Sequence, residues 1–202
     1  MPHIIATIKK IDVTQDDDRR VYWTSGAAID ADGANGQNGN AFAYRKDNKG
    51  LDDYVSATGY PDGDNWRDIL IDNGSGKPLD DGKGNWYAQT TYAWKGRPIP
   101  TRYVDSTFVP YVVVNPTVRL NAAGVVIGCK ARITYKGKSV DAVVADVSGP
   151  KRIGELSIAA AVALGFKNSS PRNGGVDDGV VFEFWPGTPA HVNGETYELQ
   201  PA

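Results

Sequence analysis

The chain has 202 residues and a single cysteine, Cys129, so an intramolecular disulfide is impossible. The apolar neighbours Val125, Val126 and Ile127 predict a buried, inert thiol. Histidine is almost as scarce: the two present, His3 and His191, each sit near a chain end. No local signature of a Cys/His nucleophile is present, and two distant histidines argue against a histidine-ligated zinc site. No stretch approaches the ~20 apolar residues of a membrane span. The formal charge is −2 and no long Lys/Arg run occurs, so the electrostatic footprint of a nucleic-acid binder is missing. The first residues, Met1-Pro-His-Ile-Ile-Ala-Thr-Ile-Lys-Lys10, do not form a cleavable signal: the apolar run is too short and the basic residues follow it. Leucine is scarce and no internal repeat is evident.

Glycine is abundant, at 23 residues, and aromatics make up 10% of the chain. This profile predicts short strands joined by tight turns. The length suits a single domain, 1–202, with insertions. Strands are expected at Ile4–Val13, Arg19–Thr24, Phe108–Val114, Val125–Tyr135, Ser139–Ala145, Val180–Trp185 and Glu195–Leu199. Lys136-Gly137-Lys138 reads as a hairpin turn, and Asn115-Pro116 as a strand stop. An alanine-rich helix is expected over Leu156–Leu164. Gly33 to Asn40 reads as a loop. The segment from about 46 to 98 holds many Asp, Gly and Asn residues, three tryptophans (Trp66, Trp86 and Trp94) and turn signals such as Pro61-Asp-Gly63, Asn73-Gly74 and Asp81-Gly82. It reads as a loop-rich insertion beside a cleft, with a hairpin at Trp86–Trp94.

The most informative run is Ala145-Asp146-Val-Ser-Gly-Pro-Lys-Arg-Ile-Gly-Glu155-Leu-Ser157. Asp146 falls where a β-prone stretch ends. Glu155 is expected in the first turn of the following helix, beyond a Gly/Pro loop. Carboxylates at the ends of two rigid elements suit an acid/base pair, one protonated and one ionised. The plain alternative is a solvated loop Asp and a Glu that favours a helix N-terminus. Desolvation after Val143, Val144 and Ala145 suits Asp146 as the acid. A helix N-terminus suits Glu155 as the base. Lys151 and Arg152 are either a cationic influence on this pair or a solvated loop tip. Asp30, Asp32 and Asn35 form an Asp-x-Asp-Gly-x-Asn run, which is either an Asx-rich turn or an oxygen-rich cation loop. The EF-hand version fails, because its closing glutamate would fall on Ala41.

Three blocks resemble glycoside hydrolase family 75, the chitosanases best known from filamentous fungi. They are Ala28-Ile-Asp-Ala-Asp-Gly33, Pro110-Tyr-Val-Val113, and Asp146 through Gly154-Glu155-x-Ser157. They occur in the family's order and span most of the chain from Tyr22 to Phe166. Ala31 stands where fungal members carry a cysteine, and the 46–98 segment has no counterpart in the family pattern. The resemblance implies an inverting endo-chitosanase with Asp146 and Glu155 catalytic. Chitosan is a polycation, so Asp30, Asp32 and Asp105 are expected to bind glucosamine amines. Tyr22, Trp23, Tyr44, Tyr111 and Trp185 are candidate sugar-stacking faces, although aromatic residues on strands are more often core. No cofactor or metal is expected. The expected partner is a polysaccharide, with neither nucleic acid nor membrane, acted on by a monomer; the expected place is outside the cell, as a mature form or after another route of export, with an intracellular site left open.

The runs Pro110-Tyr-Val-Val-Val-Asn-Pro116 and Gly137-Lys-Ser-Val-Asp-Ala-Val-Val-Ala-Asp146 also resemble the double-psi β-barrel of expansins, family 45 glucanases and membrane-bound murein transglycosylases. That likeness implies a mainly-β barrel with a working aspartate at the position of Asp146. It keeps two alternatives open: a hydrolase or lytic enzyme of peptidoglycan glycan, and a non-catalytic carbohydrate-binding module.

Overall fold

A computed structural model describes residues 1–37, 42–45 and 54–201. The end of the expected Gly33–Asn40 loop, Ala41 and the start of the 46–98 insertion lie outside the described residues. The fold is mainly β, with 41% strand and 13% helix, and contains a closed six-stranded barrel.

The chain divides into two compact units, one of Met1–Asp30 with Phe108–Ala202 and an inserted one of Ala31–Thr107. In the first unit, β1 (His3–Ile8), β2 (Ile11–Gln15) and β3 (Val21–Asp30) form an antiparallel run. The single strand expected at Ile4–Val13 is therefore two. Lys9 and Lys10 have φ of +48° and +68° and turn the chain between them. No glycine marks this turn, so alternation alone read straight through it.

In the inserted unit come β4 (Tyr44–Arg45), α1 (Tyr54–Thr58) and β5 (Asn85–Trp86). The expected hairpin at Trp86–Trp94 does not form; β5 pairs antiparallel with β4 instead. Trp86 packs with Tyr44, Tyr54, Trp66, Leu70 and Ala88, while Ile71 and Tyr87 join Ala34 and Ala43 in a second cluster. The insertion thus has apolar packing of its own. Gly33 is obligatory there: its φ is +81°, and a Cβ would stand 1.8 Å from the Val104 carbonyl oxygen.

Back in the first unit, β6 (Tyr111–Val114), α2 (Pro116–Asn121), β7 (Cys129–Tyr135), β8 (Lys138–Val147), β9 (Glu155–Ser157), α3 (Ile158–Leu164), β10 (Val176–Val192) and β11 (Glu195–Tyr197) follow. The barrel runs β3-β9-β6-β8-β7-β10 and closes by pairing β10 with β3. The β3–β9 and β6–β8 pairs are parallel; the other four are antiparallel. The Lys136-Gly137 hairpin turn forms where the sequence places it, with φ of +47° and +77°. Along β3, burial alternates strictly, with Val21, Trp23, Ser25, Ala27 and Ile29 on the buried face. Trp23 stands opposite Phe182, which stands opposite Ile133, so one row of side chains crosses the barrel core. Cys129 is fully buried, as its neighbours predict, with its thiol 3.2 Å from the Gly124 carbonyl oxygen. Among the described residues, no helix is long and apolar enough to cross a membrane.

Candidate active site

The last five residues of β8 before Val147, Ala142–Asp146, are all buried. Asp146 ends this run at 7% exposure, and its Oδ1 accepts the Val147 N–H at 2.8 Å. Glu155 is not in a helix. It opens β9, which is held between β3 and β6, and α3 begins only at Ile158. Ser157 is the reason. Its Oγ accepts the Ala160 N–H at 3.1 Å as the N-cap of α3, accepts the Tyr111 N–H at 3.0 Å and donates to the Val109 carbonyl at 2.8 Å. One hydroxyl fixes both the helix start and the β6 edge, which leaves 155–157 extended. Glu155 is therefore not in the first turn of a helix, and no helix dipole assigns it the role of base.

The register relates the two carboxylates. Val113 lies opposite Glu155 on one side and opposite Asp146 on the other. A bulge between Val112 and Val113 brings Asp146 into that row. Residues directly opposite across a sheet share a face, so Asp146 and Glu155 stand on one face with one strand between them. Two inter-strand spacings separate their Cα atoms by roughly 9–10 Å.

The loop joining them is held from outside. Asn115, 2% exposed, sits at the N-cap of α2 and accepts the Thr117 N–H. Its side-chain amide donates to the carbonyls of Pro150 at 3.1 Å and Arg152 at 2.7 Å. Asn115-Pro116 is thus more than the strand stop expected of it. An Asn followed by Pro is equally an N-cap followed by the first helical position, and that signal marks the residue. Gly154 has φ +82°, and a Cβ there would come within 2.3 Å of the Gly26 carbonyl oxygen, so the loop enters β9 only through glycine. Of the Lys151-Arg152 pair, Arg152 is the one engaged: its guanidinium lies 3.3 Å from Glu155 Oε1. An adjacent cation favours the ionised carboxylate.

Asp30 is the last residue of β3, and a carboxylate oxygen of it lies within 4.8 Å of one of Asp146. Nothing in the spacing of these residues along the chain signals that meeting. A hard cation held here would use both carboxylates and further oxygens. Asp32 follows at the start of the inserted unit and is half-buried. Asn35 is engaged in a turn, accepting the Gln37 N–H at 3.0 Å. Asp105, also in the inserted unit, accepts from the N–H and hydroxyl of Thr107 at 2.8 and 2.6 Å.

The stacking expectation for Trp23 and Tyr111 is corrected. Trp23 is 3% exposed, with its ring stacked on Phe182 at 5.0 Å and meeting Phe184 edge-on. Tyr111 is 0% exposed. Alternation along β3 turns Trp23 towards the barrel core, and neither ring offers a face to a sugar. Trp185 is only partly buried, with the Lys130 ammonium 4.9 Å from its ring centroid.

No protein-family model matches the chain, and no curated protein matches it.

Proposed function

We propose that the chain is an inverting endo-hydrolase of chitosan, with Asp146 as general acid and Glu155 as general base. The observation that carries this reading is the shared row through Val113. One intervening strand leaves room between the carboxyl groups for a sugar and a water. Inverting glycosidases hold their carboxyls ~6.5–9.5 Å apart, whereas retaining ones hold them ~5–5.5 Å apart. Surroundings divide the roles. Asp146 is nearly buried beside the Asp30 carboxylate and Glu155 lies beside the Arg152 guanidinium, which assigns the acid to the first and the base to the second. In the reaction, Asp146 gives its proton to the leaving glycosidic oxygen as the C1–O bond breaks. Glu155 takes a proton from the water whose oxygen bonds to C1 from the opposite face. The resemblance to the family 75 chitosanases supports the same pair, and an extracellular site of action goes with a polymeric substrate.

The deciding experiment measures reducing ends released from chitosan, chitin and murein, and follows the first-formed anomer by NMR. Release from chitosan with inversion is expected. Retention would remove Glu155 as a base acting on water, and release from murein alone would transfer the enzyme to peptidoglycan.

A further inference from the structure

Next to Glu155 the barrel unit carries a cleft of about 480 Å³, a volume typical of small-molecule sites. Its lining includes Lys9, Ser25, Ala28, Gly154, Asn173 and Asp177. The floor is backbone, because three lining glycines let main-chain segments touch. A Cβ on Gly26 would stand 2.5 Å from the Asp177 carbonyl oxygen, and one on Gly154 would stand 2.3 Å from that of Gly26. One on Gly175 would stand 2.2 Å from that of Ala27. The wall is a bulge. Pairing of β10 with β3 jumps from Val176↔Ala27 to Val180↔Ser25, so Asp177, Asp178 and Gly179 loop out opposite Gly26. Bulges on barrel rims commonly re-aim side chains at sites. Here the bulge places the exposed Asp177 in the cleft lining. Lys9 contributes the opposite charge from the turn between β1 and β2. The two-residue turns Lys136-Gly137 and Asn193-Gly194 carry glycine second, whereas Lys9-Lys10 takes positive φ at both positions with long side chains. Such backbone tends to be kept where function holds it.

Ala28 connects this cleft to the carboxylate pair. It lines the cleft and lies opposite Glu155 in the parallel β3–β9 register, so the two side chains share a face.

We infer that this cleft is the sugar subsite on the Glu155 side of the scissile bond, with Asp177 setting its specificity by receiving a glucosamine ammonium. The inference rests on the chitosanase reading and names the part of the substrate held there. The glycine floor lets a pyranose ring approach the main chain closely, and the Lys9 ammonium donates to a neutral hydroxyl or acetamido oxygen of the same chain.

The test compares wild type, Asp177→Asn and Lys9→Met on fully deacetylated chitosan, reading KM, kcat and product lengths. It adds the affinity of a glucosamine hexamer for the Asp146→Asn chain with and without Asp177→Asn. Asp177→Asn is expected to raise KM and weaken the hexamer by about tenfold, the scale of a lost charge-assisted contact. It should shift product lengths and leave kcat within about twofold, as expected for loss of uniform binding. Unchanged thermal midpoints establish that the variants are folded. If wild type cuts chitosan while Asp177→Asn keeps wild-type KM, products and hexamer affinity, the subsite falls and the chitosanase reading stands. If Lys9→Met alone weakens binding, the cleft takes an anionic group and the inference is overturned. If wild type releases nothing from chitosan, the chitosanase reading fails and takes the subsite with it.

Discussion

Single side chains decide how the carboxylate pair is read. Asp146→Asn and Glu155→Gln are each expected to keep the fold and lower turnover by ~10²–10⁴-fold, the usual contribution of an acid or base. Near-wild-type turnover in either variant, measured as reducing ends from chitosan, removes that residue from the chemistry. The place of Asp146 near the end of a buried strand was legible in the sequence because apolar residues lead straight into it. Its proximity to Asp30 was not, since residues so distant in sequence meet only through the β3-β9-β6-β8 strand order, which no local pattern encodes. Trp23 was misjudged for a related reason. The sequence marks it as aromatic and on a strand, but only the register with Phe182 and Ile133 shows which face is the inside.

At the scale of elements, Asn115 holds the loop between Asp146 and Glu155, and Ser157 fixes the start of α3. Asn115→Ala removes the amide bonds to the Pro150 and Arg152 carbonyls and the cap on the Thr117 N–H. A loss of ~0.5–2 kcal/mol is expected, the usual cost of losing an N-cap asparagine, read as a lower urea midpoint. Turnover should fall as well, although neither carboxylate has been touched; full activity would show that the loop keeps its shape unaided. The strands around this loop were readable from alternation, and so was the Lys136-Gly137 turn. The boundary between β9 and α3 was not, because alanine-rich sequence favours helix from Leu156 onward while Ser157 caps it one residue later. In the inserted unit, Asp81 offers a pH probe. Partial burial opposes its ionisation, but hydrogen bonds from Asn85 and Lys83 outweigh this and hold the carboxyl below its ordinary value. Its folded pKa is thus depressed, so its stabilisation is present above the unfolded value of about 3.9 and is lost as pH falls through the folded one. Asp81→Asn should lower the urea midpoint at pH 6, and the gap from wild type should close as the pH drops below about 4. A gap independent of pH would mean that the asparagine perturbs packing instead.

For the whole molecule, acidic residues and a cationic polymer imply attraction that salt weakens. Exposed charges are screened beyond ~10 Å at 0.1 M salt. Apparent affinity for chitosan should fall as salt rises while saturated turnover changes less, and Asp32→Asn or Asp105→Asn should flatten that dependence. Initial rates at several salt concentrations measure it; equal slopes in wild type and Asp32→Asn take Asp32 out of the binding site. The mainly-β content was legible in glycine content, aromatics and strand spacing, and the barrel in the likeness to the double-psi fold. The extent of the inserted unit was not: its Asp/Gly turn signals read as loop, while the burial of Trp66, Trp86 and Tyr87 depends on contacts among residues far apart in sequence.

The pairing of β3 with β10 has a temporal consequence. The barrel cannot close until residues 176–184 meet residues 21–27, and pairing across so long a stretch of chain makes folding slow. During synthesis, β3 waits with an unsatisfied edge while the inserted unit and four further barrel strands emerge. An open strand edge is a template for aggregation. The nascent chain is therefore most exposed just before β10 is made, and a chaperone that covers strand edges should raise the yield of folded protein more than one that acts after release.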